Sequence, residues 1–277
     1  MKLSYIVTNQ DANRRLDDFF YMHHISKKLV KEAKFKGMIT VNGQWEKVPY
    51  IVQVNDFVTI EFPVEESHVV SVEMPLDIVY EDDYLMVVNK PPGLACIPNR
   101  RYYTSSLANG IMAYYEANHI DAAIHIVNRL DKETSGLLLV AKSSYIHDWY
   151  SRDIKQIKRT YHALVEGNPG KGTVDAPIMH APDSAVKRMI DPQGLPSVTH
   201  YETLKTNGSQ SLIACRLETG RTHQIRIHMA SIGHPLIGDP LYGDGAGMYL
   251  ESISIAFEHP IDRTLHYIEK KGRKIKL

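Results

Sequence analysis

The order of its apolar runs constrains the fold of this chain more than any other feature. Beyond residue 76, short strand-like runs follow one another, some joined by hairpin-type turns such as Asn207-Gly208 and others separated by helical patterns. Strands connected in both ways are typical of an α+β domain with helices flanking a mixed, largely antiparallel sheet. The strand-like runs are 85–88, 137–141, 161–165, 198–204, 212–217 and 253–257, and the helical patterns are 106–118, 143–158 and 221–232.

Residues 1–62 form a pattern of their own, which predicts a small α/β module. A helical apolar spacing covers 14–25, and Ser26 is placed to cap a second helix that Gly37 ends. Short strands are predicted at 38–41 and 52–62, with Asn42-Gly43 as a turn. Residues 63–76 carry prolines and acids without a clear period and are predicted to be a linker, so the main domain covers 77–277.

The charge balance limits how this chain could bind nucleic acid. Lys and Arg number 32, as do Asp and Glu, so the formal net charge is zero. Overall charge therefore does not hold the protein to RNA or DNA, and only local basic patches can. Lys27, Lys31 and Lys34 lie on one face of the second predicted helix and are candidates for phosphate contacts, although a solvated helix face is the alternative.

Several other classes of protein fit poorly. The two cysteines, Cys96 and Cys215, are far apart and match no metal-binding pair, so reduced thiols are expected. The N-terminal residues lack the apolar core of a signal peptide, and no stretch reaches the roughly 18 apolar residues of a membrane span. We therefore expect a cytoplasmic protein that does not contact a membrane.

Neither a metal nor a nucleotide cofactor is expected. His223 and His228 are five residues apart, whereas a helical zinc pair requires a spacing of four. The glycines at 243, 245 and 247 do not match the dinucleotide-binding pattern G-x-G-x-x-G after a strand.

The stretch 125–143, HIVNRLDKETSGLLLVAKS, places polar residues in a turn immediately before an apolar strand. Asp131 in such a turn could remain ionised and act as a nucleophile. On chemistry alone, the favoured reading is instead that Asp131 caps the backbone of an Asx-type turn. A second polar stretch contains Arg221, His223 and Arg226, and one of these arginines could pair with Asp131 and keep it deprotonated.

Four segments together resemble a known enzyme family. RLDKETSGLLL and GRTHQIRIH…GHPLIGDPLYG, with VNKPPGL at 88–94 and KRTYHALVEG at 158–167, are similar to motifs of the pseudouridine synthases that modify large-subunit ribosomal RNA and tRNA. They occur in the order of that family, and the similar region covers about 79–257. The first 62 residues also resemble a small RNA-binding module, named after a ribosomal small-subunit protein, that often precedes this catalytic domain.

The resemblance implies roles for particular residues. Asp131 corresponds to the nucleophilic aspartate, and Arg226 to the arginine that pairs with it. Tyr161 corresponds to the tyrosine that stacks on the target base and assists proton removal. Arg129 corresponds to an arginine implicated in flipping out the nucleotide.

Two further positions of the same motifs are less defined by the resemblance. Arg221 and His223 are candidates for RNA or structural contacts. Asn128 stands where the family commonly has His, so it offers a hydrogen-bond donor and acceptor but does not titrate near neutral pH. A role of that histidine in positioning or in RNA contact is therefore in question.

The implied reaction isomerises a flipped-out uridine to pseudouridine with no cofactor, and a monomer is the simplest expectation for the oligomeric state. The expected substrate is 23S ribosomal RNA first and tRNA second. One alternative is a non-catalytic RNA-binding or ribosome-assembly factor on the same fold. Another is a glycoside hydrolase, for which Glu133 or Asp239 would have to supply a second catalytic carboxylate.

Overall fold

The computed structural model describes residues 1–245 and 247–273. Its N-terminal part is a four-stranded antiparallel sheet, in the order β1-β4-β2-β3, covered on one face by two helices. The predicted cap is confirmed, because the Ser26 hydroxyl accepts from the Leu29 amide at 3.3 Å. The elements are β1 (Lys2–Ile6), α1 (Leu16–Met22), α2 (Lys27–Lys36), β2 (Met38–Val41), β3 (Gln44–Trp45) and β4 (Phe57–Glu61).

The strand predicted at 52–62 is too long at its start. Only Phe57–Glu61 is a strand, because Asp56 organises the preceding residues into a turn. Its carboxylate accepts hydrogen bonds from the Asn42 amide, the Tyr50 hydroxyl and the Gln53 backbone. The strand β1 was not predicted from the sequence, and its alternate residues are exposed.

The rest of the chain forms the predicted mixed, largely antiparallel sheet flanked by helices. Ten of its strands form one sheet along the path β10-β13-β14-β9-β15-β8-β6-β5, in which β15 and β8 alone are parallel, with β16 beside β15 and β7 beside β8. The strands β11 and β12 form a separate two-stranded antiparallel sheet. The elements are β5 (Ile78–Glu81), β6 (Leu85–Lys90), α3 (Leu107–Ala117), β7 (His125–Ile126), β8 (Ser135–Ala141), α4 (Ser144–Arg152), β9 (Lys158–Glu166), β10 (Lys171–Asp175), β11 (Ile178–His180), β12 (Arg188–Ile190), β13 (Val198–Thr206), β14 (Gln210–Leu217), α5 (Gln224–Ser231), β15 (Leu250–Glu258) and β16 (Leu265–Glu269).

The centre of this sheet is covered on both faces. All seven residues of β8 are buried, which explains why its sequence is a continuous apolar run instead of an alternating one. Leu137 and Leu139 pack towards α4 and the N-terminal module, whereas Leu138 and Val140 pack towards α3 and α5. Of the described helices, none is long and apolar enough to cross a membrane.

Two predicted helices are shorter than expected. The helix predicted at 143–158 ends at Arg152, because a single 3₁₀ turn at Ile154–Gln156 leads directly into β9. The helix predicted at 221–232 begins at Gln224, since His223 has a left-handed backbone with φ of 59°. The hairpin predicted at Asn207-Gly208 is confirmed by the antiparallel pairing of β13 with β14.

Residues 63–76 contain no helix or strand but are anchored to the main domain. The Glu65 carboxylate accepts from the backbone and the hydroxyl of Ser144, and it lies 2.8 Å from Nε2 of His125. Further along, Val72 donates its amide to the carbonyl of Asn109. The N-terminal module shares its core with α4, where the Phe62 and Tyr145 rings stack at 5.7 Å.

Candidate active site

Asp131 lies in the loop between β7 and β8, and hydrogen bonds from neighbouring side chains hold the backbone of this loop in place. The Lys90 ammonium donates to the carbonyls of Pro91, Leu94 and Lys132 at 2.8 to 3.0 Å. Lys90 is fully buried, and burial lowers its pKa to about 8. The thiol of Cys96 donates to the carbonyl of Leu130 at 3.1 Å. The backbone on both sides of Asp131 is therefore fixed.

The Asp131 carboxylate itself is free to contact a ligand in the cleft. Its side chain is 25% exposed and accepts no hydrogen bond from the residues that the structure describes. The Asx-type turn considered from the sequence is therefore absent from the described part of the chain, and only the Asp131 carbonyl accepts a backbone amide, from Thr134. One carboxylate oxygen lies 3.5 Å from Nη1 of Arg226.

Arg226 projects from α5 and is shared between two carboxylates. Its Nε and Nη2 donate to the two oxygens of Asp239, both at 2.7 Å, while Nη1 faces Asp131. Burial by itself would raise the pKa of Asp239, but hydrogen bonds from Arg226 and from the backbone amides of Leu241 and Tyr242 outweigh it and lower that pKa. Asp239 thus holds the guanidinium in place beside Asp131.

Tyr161 lies on β9 and lines the same cleft as Asp131. Its side chain is almost completely buried, and this burial raises the pKa of the hydroxyl above its ordinary value. Tyr161 is therefore a neutral phenol near pH 7, which can offer a ring face and a hydroxyl donor.

Around these residues is a cleft of 820 Å³ whose walls are basic. This volume is in the range of sites that bind small molecules or a single nucleotide. Six cationic and two acidic side chains line it, so the surface is locally positive although the whole chain is neutral. Such a cleft attracts a polyanion. The cationic residues are Arg129, Lys132, Lys155, Arg159, Arg188 and Arg221.

The structure brings most of the predicted site residues to this cleft. Arg129 and Arg221 are exposed at its wall, and Arg221 donates from Nε to the Pro196 carbonyl at 3.3 Å. His223 is buried, and its Nδ1 lies 3.0 Å from the hydroxyl oxygen of Tyr242. Burial lowers the pKa of His223 by more than the nearby Asp131 carboxylate raises it.

The predicted lysines of α2 lie elsewhere. Lys27, Lys31 and Lys34 are exposed on the N-terminal module and do not line the cleft. They could reach an RNA only if it extended beyond the catalytic site.

Several residues of the site were not singled out from the sequence. From the sequence, Asp239 was considered only as the second carboxylate of a hydrolase. It lies directly after a glycine in the quoted segment GHPLIGDPLYG. Arg159 precedes Tyr161 by two residues on β9, a spacing that places both side chains on one face of the strand. Lys90 belongs to the quoted segment VNKPPGL, but nothing in its sequence signals burial.

The protein-family model described as RNA pseudouridylate synthase matches residues 84–231, which include Asp131, Tyr161 and Arg226. The chain belongs to this family. It is therefore an RNA pseudouridine synthase, an isomerase that acts on RNA.

Individual relatives agree with this assignment. The synthase is 42% identical over 219 residues to the uncharacterized RNA pseudouridine synthase YjbO of Bacillus subtilis, which covers 76% of this chain and 77% of the relative. It is 36% identical over 243 residues to ribosomal large subunit pseudouridine synthase D of Salmonella typhimurium, covering 85% of this chain and 74% of the relative. The solved structure of human RNA pseudouridylate synthase domain containing 1 has the same fold, with a TM-score of 0.58 at 23% identity, over 71% of this chain and 83% of that one.

The synthase has Asn128 at the position of the family's usual histidine, and the structure shows what this residue does. The Asn128 side-chain oxygen accepts the Leu139 amide at 2.8 Å, so it ties the loop before Asp131 to β8. This task needs a hydrogen-bond acceptor and no titratable group.

The hydrolase alternative is weakened as well, because Asp239 is engaged by Arg226 and Glu133 lies on the surface beside Lys132.

Proposed function

We propose that this pseudouridine synthase modifies uridines of 23S ribosomal RNA and that Asp131 is its nucleophile. The observation that carries the proposal is the state of Asp131, a carboxylate on a fixed loop, ion-paired with Arg226 and open to a basic cleft. Relatives named as ribosomal large subunit pseudouridine synthase D favour ribosomal RNA, with tRNA as the second candidate.

In the reaction, the bond between N1 of uracil and C1′ of ribose breaks, and a bond between C5 and C1′ forms. The proton on C5 is released, and N1 takes up a proton, so no redox step is required. Asp131 either attacks C1′ directly or removes a proton from the sugar, and in both routes the Arg226 guanidinium lies beside its carboxylate.

A base stacked in a helix cannot rotate, so the proposed substrate is a flipped-out uridine. Extrusion costs a few kcal/mol, which contacts inside the pocket must offset. We assign to Tyr161 the role of a stacking face, worth about 1 to 3 kcal/mol per base. Arg129, at the wall of the cleft, is assigned to the space that the flipped nucleotide vacates.

We further propose that the N-terminal module, residues 1–62, extends the RNA-binding surface through Lys27, Lys31 and Lys34. The triple change of these lysines to Gln is expected to weaken RNA binding and to reduce the salt dependence of log Kd by about 0.7 to 0.9 for each phosphate that the lysines no longer neutralise. Filter binding at several salt concentrations measures both quantities. Lys171→Gln with Lys205→Gln, on β10 and β13, serves as the control. Unchanged affinity and slope in the triple variant would show that the module has another task.

A pseudouridine map of total RNA tests the proposed substrate. RNA from cells with and without the gene is labelled with a reagent that stops reverse transcription at pseudouridine. Loss of 23S rRNA sites on deletion, and their return with the wild type but not with Asp131→Asn, is the expected result. Loss of tRNA sites alone would overturn the ribosomal assignment. A map with no lost site, together with purified protein inactive on RNA transcripts, would favour the non-catalytic RNA-binding factor.

Two further parts of the proposal concern the enzyme as a whole. We propose that it works as a monomer, the simplest oligomeric state, and light scattering of the purified protein tests this. We propose the cytoplasm as its location because the proposed substrate is ribosomal RNA.

A further inference from the structure

Arg159 is a buried cation next to Tyr161. The two side chains are two residues apart on β9 and therefore project from the same face of the strand into the cleft. Only 6% of Arg159 is exposed. Arginine is seldom so deeply buried unless it is paired, because removing its charge from water is costly.

In the residues that the structure describes, this guanidinium has no partner. Its Nε and Nη2 are shielded from solvent and donate no hydrogen bond, and no described carboxylate lies within salt-bridge distance. Arg226 provides the contrast, because its own Nε and Nη2 donate hydrogen bonds to the two carboxylate oxygens of Asp239. The equivalent edge of Arg159 thus carries two adjacent donors that have no acceptor among the described residues.

The packing around Arg159 keeps the guanidinium at the cleft. A Cβ at Gly220 would lie 3.4 Å from its Nη1, so the backbone that leads into α5 passes directly over it. Leu217, Thr219 and Gly220 line the same cleft as Arg159. A ligand in the cleft contacts the part of Arg159 that lines it, and it reaches the shielded Nε and Nη2 when the backbone at Gly220 shifts aside.

We propose that Arg159 binds an anionic group of the RNA substrate that presents two adjacent acceptor atoms. Two parts of the substrate have this chemistry. One is a phosphate next to the target uridine, whose oxygens fit the guanidinium edge. The other is the uracil after its N1–C1′ bond has broken with the electron pair kept on N1, since N1 and O2 are then adjacent acceptors sharing a negative charge. Intact uridine does not fit, because its free edge alternates the acceptors O4 and O2 with the N3–H donor.

The inference rests on the pseudouridine synthase activity of the chain, and it is independent of which RNA is the substrate and of the role of Asp131. Its test uses the RNA that the pseudouridine map identifies. Arg159→Met removes the charge and keeps much of the side-chain volume. Arg216→Met is the matched control, because Arg216 lies exposed on β14 opposite Thr160 and does not line the cleft.

We expect Arg159→Met to lower kcat/KM by about tenfold to a hundredfold, the effect of losing a charged hydrogen-bonding partner, while Arg216→Met stays within twofold. If the anion is a phosphate, Kd rises and the salt slope falls by about 0.7, with kcat at saturating RNA unchanged. If it is the detached uracil, kcat falls and both Kd and the salt slope stay at the wild-type values. Either pattern supports the proposal.

The thermal stability of the free enzyme separates this role from a structural one. Because the charge is buried without a partner, its removal should leave Tm unchanged or raise it. A kcat and a Kd of Arg159→Met both within twofold of the wild type, per folded molecule, would overturn the proposal. If the Met variant does not fold, Arg159→Lys replaces it, since lysine keeps a point charge but loses the two-donor edge. Its kcat and Kd are measured in the same way and judged by the same twofold limit.

Discussion

An Asp131→Asn variant is expected to lose at least about 10³-fold in kcat, or about 4 kcal/mol of transition-state stabilisation, while its Kd for RNA stays within about twofold. Asn has nearly the same shape but cannot act as a nucleophile or as a base. The fold should survive, because Arg226 keeps both hydrogen bonds to Asp239. Single-turnover assays of pseudouridine formation on an RNA transcript, with filter binding of the same RNA, measure the two constants.

Glu133→Gln is the control for this prediction. It removes a carboxylate only two residues away, but one whose side chain is 46% exposed and lies beside Lys132. Its kcat should remain within about twofold of the wild type, as expected for a surface change. Normal turnover by Asp131→Asn would exclude Asp131 as the nucleophile, and a large loss in Glu133→Gln would revive the hydrolase-type pair of carboxylates.

The second large effect is expected on stability. Asp239→Asn should lower the free energy of unfolding by about 3 kcal/mol or more, because the Arg226 guanidinium would then be buried with a neutral partner in place of a carboxylate. For a chain of this size, Tm should fall by about 6 to 12 °C. Chemical denaturation and thermal melts followed by circular dichroism measure the change. A loss below about 1 kcal/mol, the level of an exposed pair, would show that the pair does not hold the site together.

Asp17→Asn is the matched control, since Asp17 also forms a two-point ion pair, with Arg15, but on the surface. An exposed pair contributes about 0 to 1 kcal/mol, so this variant should be near wild type in stability. The comparison isolates burial as the source of the larger effect.

The dependence on pH gives an independent check. The pKa of Asp239 is lowered in the folded state, so its contribution to stability is complete above the unfolded value of about 3.9 and is lost as the pH falls through the folded value. The stability difference between wild type and Asp239→Asn should therefore be constant near neutrality and shrink in acid. A difference independent of pH down to about pH 2 would mean that the carboxylate charge is not what stabilises Arg226.

Sequence motifs located most of the site. Asp131, Tyr161 and Arg226 come from three separate segments, and all three reach the same region of the fold. The role of Asp239 could not be read in advance, because an aspartate in a loop shows no sign of its partner. Only the packing of α5 against the loop at 238–243 shows that Asp239 is buried and engaged.

The ends of the elements were also less predictable than their existence. Six strand-like runs of the main domain lie within observed strands, because their residues are apolar and β-branched over several positions. The helix predicted at 143–158 instead stops at Arg152, since pairing of β9 with β15 recruits the residues from Lys158 onward. Tertiary pairing thus overrides a helical pattern that continues in the sequence.

Local chemistry and periodicity were enough to indicate the α+β class, the cap at Ser26, the hairpin at Asn207-Gly208 and the family to which the chain belongs. These features depend on residues close together in the chain or on long motifs. The tertiary structure alone decided that Arg226, already expected to pair with Asp131, is also bound by Asp239, and that Arg159 is buried without a partner among the residues described. The physical reason is that burial and ion pairing depend on distances between segments far apart in the chain, which no local pattern encodes.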